Sequence, residues 1–239
     1  MSEQQAITRL ILLRHGQSVW NKDKHFTGWS DVTLSPKGEQ EAERTGRLLK
    51  EAGYTFDICF TSELQRATDT LKIVLATMGL EGIPIRQDWR LNERHYGALE
   101  GLRRWQAVRQ FGIWPVLGTQ VCFAAAPPSL ELSDARFPGN QARYAGIDKS
   151  LLPLAESIEQ TVQRVLPLWQ QTILPEIQQG KRVLIVSHKN LLRALMMQLA
   201  NLSQRQVMKL SIATAQPLCF ELDNKLNLVR YYYVHREKG

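Results

Sequence analysis

Two histidines stand directly after short apolar segments of the sequence. Residues 8–13 (TRLILL) lead into an Arg-His-Gly turn centred on His15, and residues 182–186 (RVLIV) lead through a serine to His188. Each apolar segment predicts a buried β-strand. The ligand pocket of an open parallel sheet forms beyond the carboxyl ends of its strands, so both imidazoles are expected in one pocket. A lone histidine at such a position is usually structural, but two at equivalent positions favour a shared site.

Phosphoryl transfer is the chemistry that these residue types fit best. A histidine nucleophile needs one ring nitrogen with a free lone pair, while the other nitrogen is held as a donor. Guanidinium groups match the charge and the planar geometry of a transferring phosphoryl group. Arg14 adjoins His15, and Arg66 lies in the first turn of the helix predicted after the next strand. Either arginine alone could be a solvated surface charge, but with the two histidines they predict a phosphate clamp.

Other polar residues near these positions are candidates for the same pocket. Asn21, Thr27 and Gly28 lie in the loop after the first predicted strand and could donate hydrogen bonds to substrate oxygens, although each alone is typical of a turn. Glu93 follows a further predicted strand. A carboxyl group beside a phosphate has its ionised form disfavoured, which suits a general acid or base. Considered alone, Glu93 would more often form a surface ion pair.

Strand and helix signals alternate along most of the chain and predict the elements that position these residues. Ser35 and Pro36 are a helix cap and a first-turn proline, and Ser62 with Gln65 forms a capping box. Strands separated by helices favour a single-domain, three-layer α/β/α fold with a mostly parallel sheet. The predicted strands are residues 8–13, 57–61, 84–88, 182–186, 218–222 and 228–234, and the predicted helices are residues 36–52, 62–79, 156–179 and 190–199.

The middle of the chain departs from this alternation. Residues 97–154 carry repeated prolines and glycines, including Pro127-Pro128 and Pro138-Gly139. We interpret the segment as an insertion of broken helical pieces within one domain that spans residues 1–239. Insertions of this kind often form lids or specificity elements, so a lid over the pocket is expected.

Composition restricts the class of partner. The chain has 30 Lys and Arg residues against 23 Asp and Glu residues, a formal charge of +7 that suits an anionic ligand. The basic residues are scattered, which favours an anionic metabolite over nucleic acid. No apolar stretch approaches the roughly 18 residues of a membrane span, and residues 1–9 lack the apolar core of a signal peptide. Three well-separated cysteines predict reduced thiols, so a soluble cytoplasmic protein without a membrane partner is expected.

Four segments of the sequence carry a family resemblance. LRHGQSVWN, FTGWSDVTLSPKG, LNERHYGALEG and SHKNLLRA resemble the cofactor-dependent phosphoglycerate mutases of the histidine phosphatase superfamily, from about residue 9 to residue 233. RHG is common to the superfamily, whereas FTGW and ERHYGALxG are much more specific to the mutases. The resemblance implies the phosphoglycerate mutase-like fold and the interconversion of 3-phosphoglycerate and 2-phosphoglycerate, primed by 2,3-bisphosphoglycerate. It also implies that no metal takes part and that the protein is a homo-oligomer, either a dimer or a tetramer.

The same resemblance assigns roles to individual residues. It implies that His15 is the phosphorylated nucleophile, that His188 stabilises the transferring phosphoryl group, and that Glu93 donates and accepts the proton. Arg14 and Arg66 complete the catalytic set by holding the phosphate. The residues that the resemblance places at the substrate are Ser18, Asn21, Thr27, Gly28, Arg94, Tyr96, Arg104 and Asn190. Lys189, directly after His188, is expected at the same pocket as an added cation.

One departure from the family affects the substrate site. Mutases of this kind carry two arginines shortly before a Pro-Pro pair, and Gln120 and Val121 stand in their place. Charge-assisted hydrogen bonds contribute roughly 1.5–3 kcal/mol each, so the loss is large unless other cations compensate. Arg104 stands where the family has a lysine, and Lys189 replaces a glycine directly after His188. Both are candidate compensators.

Three functions follow from these observations. The whole-length resemblance favours a phosphoglycerate mutase. Gln120 and Val121 favour instead a phosphatase of similar fold, acting on another small phosphorylated metabolite, because a looser pocket would let water take the phosphate from His15. A binding protein that retains the phosphate pocket without turnover is the third possibility, and the intact set of histidines, arginines and Glu93 argues against it.

Overall fold

Six short strands form one sheet in the computed structural model, which describes residues 7–235 apart from the side chain at position 22. In sheet order the strands are β3, β2, β4, β1, β5 and β6. The first four run parallel to one another, while β5 pairs antiparallel with both β1 and β6. The prediction of a mostly parallel α/β sheet is therefore confirmed. The strands are β1 (Thr8–Arg14), β2 (Ile58–Thr61), β3 (Ile85–Gln87), β4 (Val183–Ser187), β5 (Leu218–Leu222) and β6 (Leu228–Tyr233).

Helices cover both faces of this sheet. Successive side chains of a strand point to opposite faces, and β1 shows the consequence: Leu10 and Leu12 join one apolar core, while Ile11 and Leu13 join the other. The three-layer α/β/α prediction is confirmed. The helices are α1 (Val19–Asp23), α2 (Pro36–Glu51), α3 (Gln65–Met78), α4 (Arg104–Phe111), α5 (Ile113–Val121), α6 (Ile158–Leu168), α7 (Leu174–Gln178), α8 (Lys189–Leu199) and α9 (Gln204–Lys209).

Helix boundaries test the capping signals of the sequence. The hydroxyl of Ser35 accepts the N–H of Gly38 at 3.1 Å and begins α2, as predicted. The predicted capping box at Ser62 is wrong, because α3 begins at Gln65 without a side-chain cap and the Ser62 hydroxyl has other partners. The long helix predicted over residues 156–179 consists of α6 and α7, which are joined by a π-helical stretch, Trp169–Ile173.

The segment of residues 97–154 contains α4, α5 and several single 3₁₀ turns. Its side chains pack on the body of the protein through a separate apolar cluster around the buried indole of Trp29. Closure of this segment over the pocket stays a prediction. The short helices α1 and α9 were not predicted. Within residues 7–235, no helix is both long enough and apolar enough to cross a membrane.

The turn after β1 lies directly against the first turn of α2. A Cβ atom added to Gly38 would lie 2.1 Å from the carbonyl oxygen of Gln17, and one added to Gly16 would lie 2.4 Å from that of Gly38. Both contacts are with backbone atoms, so no side-chain rotation relieves them. The position of the turn that carries His15 therefore depends on two glycines in contact.

We predict that Gly38→Ala lowers the free energy of unfolding by about 2 kcal/mol or more, since overpacking of a close contact typically costs 1–3 kcal/mol. Urea unfolding measures the change. Gly82→Ala is the matched control, because a Cβ at position 82 meets no atom within 4 Å. Equal losses in the two variants would contradict the close-contact explanation.

Candidate active site

The parallel pairing of β1 with β4 brings the two predicted histidines together. Arg14 is the register partner of Ser187, and the N–H of His15 donates to the Ser187 carbonyl at 2.9 Å. The rings of His15 and His188 lie 5.0 Å apart between centroids and are tilted by 56°. Their residues are only 3% and 0% exposed. Both imidazoles therefore lie side by side in a region with almost no access to water.

His15 has the tautomer that a nucleophile requires. Its Nδ1 lies 2.7 Å from the carbonyl oxygen of Gly16, which can only accept a hydrogen bond, so Nδ1 carries the proton and Nε2 keeps its lone pair. Burial, with the guanidinium groups of Arg66 and Arg14, holds the pKa of His15 well below its ordinary value. The imidazole is therefore neutral and ready to attack an electrophile through Nε2.

His188 is held in the same tautomer, with the proton on Nδ1, by a neighbour that was not predicted at the site. Its Nε2 lies 2.8 Å from the hydroxyl of Ser62, and that hydroxyl also accepts the N–H of Leu64 at 3.2 Å. Both contacts are satisfied when Ser62 donates to Nε2, which leaves the proton of His188 on Nδ1. This Nδ1 is buried and has no hydrogen-bond partner among the described residues. It is free to donate to an anionic ligand beside His15.

Burial also lowers the pKa of His188 well below its ordinary value, and the charge of Arg66 and the proximity of His15 act in the same direction. The sequence signal for Ser62 was its place just after β2, at the carboxyl edge of the sheet. The apparent capping box hid this signal.

Arg66 and Arg14 supply positive charge, and no carboxylate of the described residues hydrogen-bonds either of them. Arg66 donates through its two Nη atoms to the carbonyls of Ser30 and Gly28, at 2.9 and 2.7 Å, and is 1% exposed. Burial lowers its pKa to about 10. Arg14 donates to the carbonyl of Ile212 at 2.8 Å, and its buried Nε has no partner among the described residues. The positive charge therefore lies beside the two histidines, with the nearby carboxylate of Glu93 interacting with both arginines through space rather than by a hydrogen bond.

Glu93 is fixed beside these cations by backbone groups. Its Oε1 accepts the N–H of Arg94 at 2.9 Å and that of Asn190 at 3.0 Å. Its carbonyl accepts the indole N–H of Trp29 and a guanidinium N–H of Arg164. With Oε1 engaged, Oε2 is the oxygen left to exchange a proton with a ligand.

His15, Arg14, Arg66 and Glu93 line one cavity of about 540 Å³, a size typical of small-molecule sites. His188 does not line this cavity; it is fully buried behind it, with its ring centroid 5.0 Å from that of His15. Ser18 is not among the lining residues either. Its hydroxyl accepts the N–H of Asn21 at 3.2 Å and thereby begins α1. The predicted site residues that line the cavity are Arg14, His15, Asn21, Thr27, Gly28, Arg66, Glu93, Arg94, Tyr96, Arg104, Lys189 and Asn190.

Several lining residues were not predicted. Arg193 follows Asn190 by three positions on α8, so helical periodicity could have placed it on the same face. It donates to the Asn190 side chain at 3.2 Å. At the departure from the family, Gln120 lines the cavity, whereas Val121 points outward and is 63% exposed. The other lining residues that were not predicted are Lys24, His25, Phe26, Thr119, Ile158 and Met208.

The site thus combines a neutral histidine at the cavity wall, a second histidine buried directly beside it, guanidinium groups and a carboxylate. A sequence model of the histidine phosphatase superfamily (branch 1) matches residues 10–234. The chain belongs to the histidine phosphatase superfamily. Among the described residues, no group of three or more His, Cys, Asp or Glu side chains is arranged to hold a metal ion. The expectation that no metal takes part stays a prediction.

Relatives of this superfamily chain include phosphoglycerate mutases. A protein of Nitrosomonas europaea named 2,3-bisphosphoglycerate-dependent phosphoglycerate mutase 1 is 62% identical over 234 residues, which are 98% of this chain and 100% of the relative. A 2,3-bisphosphoglycerate-dependent phosphoglycerate mutase of Hamiltonella defensa is 46% identical over 228 residues, covering 95% of this chain and 92% of the relative.

Solved structures of the superfamily share the fold at lower identity. The phosphoglycerate mutase from Bacillus anthracis has a TM-score of 0.66 at 22% identity and covers 96% of this chain and 92% of its own. The α-ribazole phosphatase from Shigella flexneri has a TM-score of 0.69 at 23% identity and covers 97% of this chain and 98% of its own. At this level of identity, the two structures support the fold alone.

Because these histidines are buried and neutral, we expect the free energy of unfolding to depend on pH. Below about pH 6.5 the unfolded chain protonates His15 while the folded chain does not, so stability is lost as the pH falls. We expect each such histidine to contribute a slope of about 1.4 kcal/mol per pH unit there. His15→Gln should reduce the slope by about that amount, as measured by urea unfolding between about pH 5 and 7.5.

The exposed His235 provides the control, and His235→Gln should leave the slope of the wild-type protein unchanged. If His15→Gln also left the slope unchanged, a neutral buried His15 would be ruled out.

We also predict that the contact between Ser62 and His188 controls the tautomer of His188. In Ser62→Ala, His188 loses the donor that keeps the proton on Nδ1. The ¹⁵N shifts of its ring should move from the Nδ1–H tautomer towards Nε2–H. Phosphorylation of His15 should slow by about tenfold, the value of roughly one hydrogen bond to the transferring group. Ser203→Ala, which removes the cap of α9, is the control and should alter neither measurement. Unchanged ring shifts in Ser62→Ala would refute the tautomer assignment.

Proposed function

We propose that this chain is a phosphoglycerate mutase, an isomerase that interconverts 3-phosphoglycerate and 2-phosphoglycerate through a phosphohistidine at His15. The observation that carries the proposal is the 62% identity, over 98% of this chain and all of the relative, to a protein named as such a mutase. The cavity supports it, because neutral His15 lies between cations and a proton-exchanging carboxylate.

Transfer to the enzyme begins at the free nitrogen of His15. Nε2 attacks phosphorus and forms a P–N bond as the bond from phosphorus to the substrate oxygen breaks. Guanidinium groups of Arg14 and Arg66, with the Nδ1–H of His188, stabilise the charge on the equatorial oxygens. The substrate oxygen that leaves takes a proton from Oε2 of Glu93. The imidazole must be neutral when it attacks, and the low pKa of His15 keeps it neutral.

Transfer back to the substrate uses the same groups in reverse. A hydroxyl of the bound monophosphate attacks the phosphoryl group on His15, and Oε2 of Glu93 accepts the hydroxyl proton. When the other phosphoryl group of the substrate then moves to His15, Glu93 returns that proton to the oxygen left behind. One proton and one phosphoryl group are therefore recycled, and the isomeric monophosphate is released.

The site fits the priming compound 2,3-bisphosphoglycerate, which supplies the first phosphoryl group of His15. Two buried guanidinium atoms in or beside the cavity, Nε of Arg14 and Nε of Arg94, have no protein partner among the described residues. Lys189 and Arg104 add further positive charge to the wall. An anion with several charges would supply the acceptors that these donors lack.

Hydrolysis is the competing outcome, because Gln120 lines the cavity in place of an arginine. The mutase relatives favour isomerisation over it. The substrate class that follows is a small phosphorylated carboxylic acid. Assembly into a dimer or tetramer, a cytoplasmic location and the absence of nucleic-acid and membrane partners stay predictions from the sequence.

The decisive assay incubates the protein with 2,3-bisphosphoglycerate, then with 3-phosphoglycerate, and follows 2-phosphoglycerate and free phosphate. We expect 2-phosphoglycerate to appear at about 10 s⁻¹ or faster, an ordinary enzyme turnover. His15→Ala should abolish both phosphoenzyme and isomerisation, whereas His235→Ala, at an exposed position, should retain both.

Free phosphate without 2-phosphoglycerate would identify a phosphatase and refute the mutase. Labelling of His15→Ala would show instead that the nucleophile is another residue.

A further inference from the structure

The cations of the cavity differ in how much of their hydrogen-bonding capacity the protein already uses. Arg66 donates to two backbone carbonyls. Arg94 donates to a backbone carbonyl and stacks 4.5 Å from the centroid of a tyrosine ring. Arg193 donates to the carbonyls of residues 208 and 210 and to an asparagine side chain. These three guanidinium groups are built into the wall and are held in fixed orientations.

Lys189 is different from these arginines. It is the first residue of α8, directly after His188, and its half-buried side chain lines the cavity. No hydrogen bond or ion pair joins its ammonium group to another described residue. Lys24 and Arg104 also line the cavity without such partners, but both are exposed at its rim.

The surroundings of Lys189 are positive. Burial lowers its pKa, and the nearby charges of Arg193, Arg14 and Arg94 act in the same direction, against an opposing contribution from Glu93. Holding an ammonium group half-buried among three guanidinium groups costs free energy unless an anion joins them. A ligand with negative charge at this wall would remove that cost.

The position of Lys189 decides which part of the ligand it meets. The phosphoryl group being transferred is already surrounded by Arg14, Arg66 and the two histidines. What remains to be neutralised is the second anionic group of the substrate, and Gln120 in the same wall carries no charge. We propose that Lys189 binds the carboxylate of the phosphorylated hydroxy acid and selects substrates that carry one; this rests on the proposed function for the identity of that acid.

A lysine suits this task better than an arginine does. The reaction presents two neighbouring substrate carbons to His15 in turn, so the carboxylate must change its place between the two transfers. An ammonium group on a flexible four-carbon stem can follow it, whereas a planar guanidinium group favours one bidentate orientation. The ammonium group of Lys189 can therefore stay in contact with the carboxylate while the substrate changes its position.

The test compares two ligands that differ only at the carboxyl carbon, 3-phosphoglycerate and glycerol 3-phosphate. Calorimetry on the unphosphorylated protein gives Kd for each. In Lys189→Met, Kd for 3-phosphoglycerate should rise by about tenfold or more, the loss expected for a charge-assisted hydrogen bond. Kd for glycerol 3-phosphate should change by less than about threefold, the effect of a more distant charge.

Two further variants separate contact from general charge. Lys189→Arg keeps the cation and should restore most of the preference for 3-phosphoglycerate. Lys72→Met removes the same charge from the exposed surface of α3, beside a separate hollow, and should leave both Kd values within about twofold of wild type. Urea unfolding of Lys189→Met checks that the fold is intact.

Each other result overturns the proposal. If Lys189→Met raised Kd equally for both ligands, Lys189 would contact the phosphate that both share. If neither Kd changed, Lys189 would not contact the ligand. If the wild-type protein bound both ligands equally well, it would not recognise a carboxylate. The proposed function fails separately, through absence of 2-phosphoglycerate in the turnover assay. Because the binding measurement needs no turnover, the two failures can be told apart.

Discussion

The hydrogen bond from the N–H of His15 to the carbonyl of Ser187, at 2.9 Å, continues the parallel ladder of β1 and β4 one residue beyond the strands. It fixes the two histidine rings 5.0 Å apart at the carboxyl edge of the sheet. A one-residue slip in this register would turn Leu13 and its neighbours to the wrong face of a sheet that is buried on both sides. The spacing of the reacting groups is therefore determined by the packing of two apolar cores.

Burial at this edge has opposite consequences for the histidines and for the arginines. The imidazoles respond to desolvation by remaining neutral, which nucleophilic attack requires. The guanidinium groups keep their charge, even though burial lowers the pKa of Arg66 to about 10. They donate to backbone carbonyls instead of carboxylates, so they are oriented without forming a hydrogen-bonded ion pair among the described residues. By contrast, Arg164, which fixes the backbone near the site, is paired with the buried carboxylate of Glu156. The charge left unpaired is the charge that a phosphate can use.

The sequence alone was sufficient to predict features that depend on a local pattern or on a general rule of sheet topology. Continuous apolar runs predicted the strands, and the rule for parallel strand ends placed His15 and His188 together before any resemblance was considered. Prediction from the sequence failed where one local pattern was compatible with two different structures. Ser62 looks like a helix cap, but its partner, His188, is 126 positions away. The prolines and glycines of residues 97–154 suggested broken helical pieces, yet Pro115 and Gly118 both lie within α5. A proline in the first turn of a helix forfeits no intrahelical hydrogen bond.

The end of α5 forms the wall of the cavity beside Gln120. Thr119 is fully buried, its hydroxyl donates to the carbonyl of Val116, and its own carbonyl accepts from Arg94 at 2.9 Å. These contacts fix the backbone of the wall without using the side chain at position 120. The position of Gln120 is therefore set by the contacts of Thr119. Gln120 brings no charge to this wall, so on the proposal above the positive charge comes from another element. Helix α8 is positioned to supply it, because its first residue, Lys189, lines the same cavity and its backbone N–H at Asn190 holds the carboxylate of Glu93.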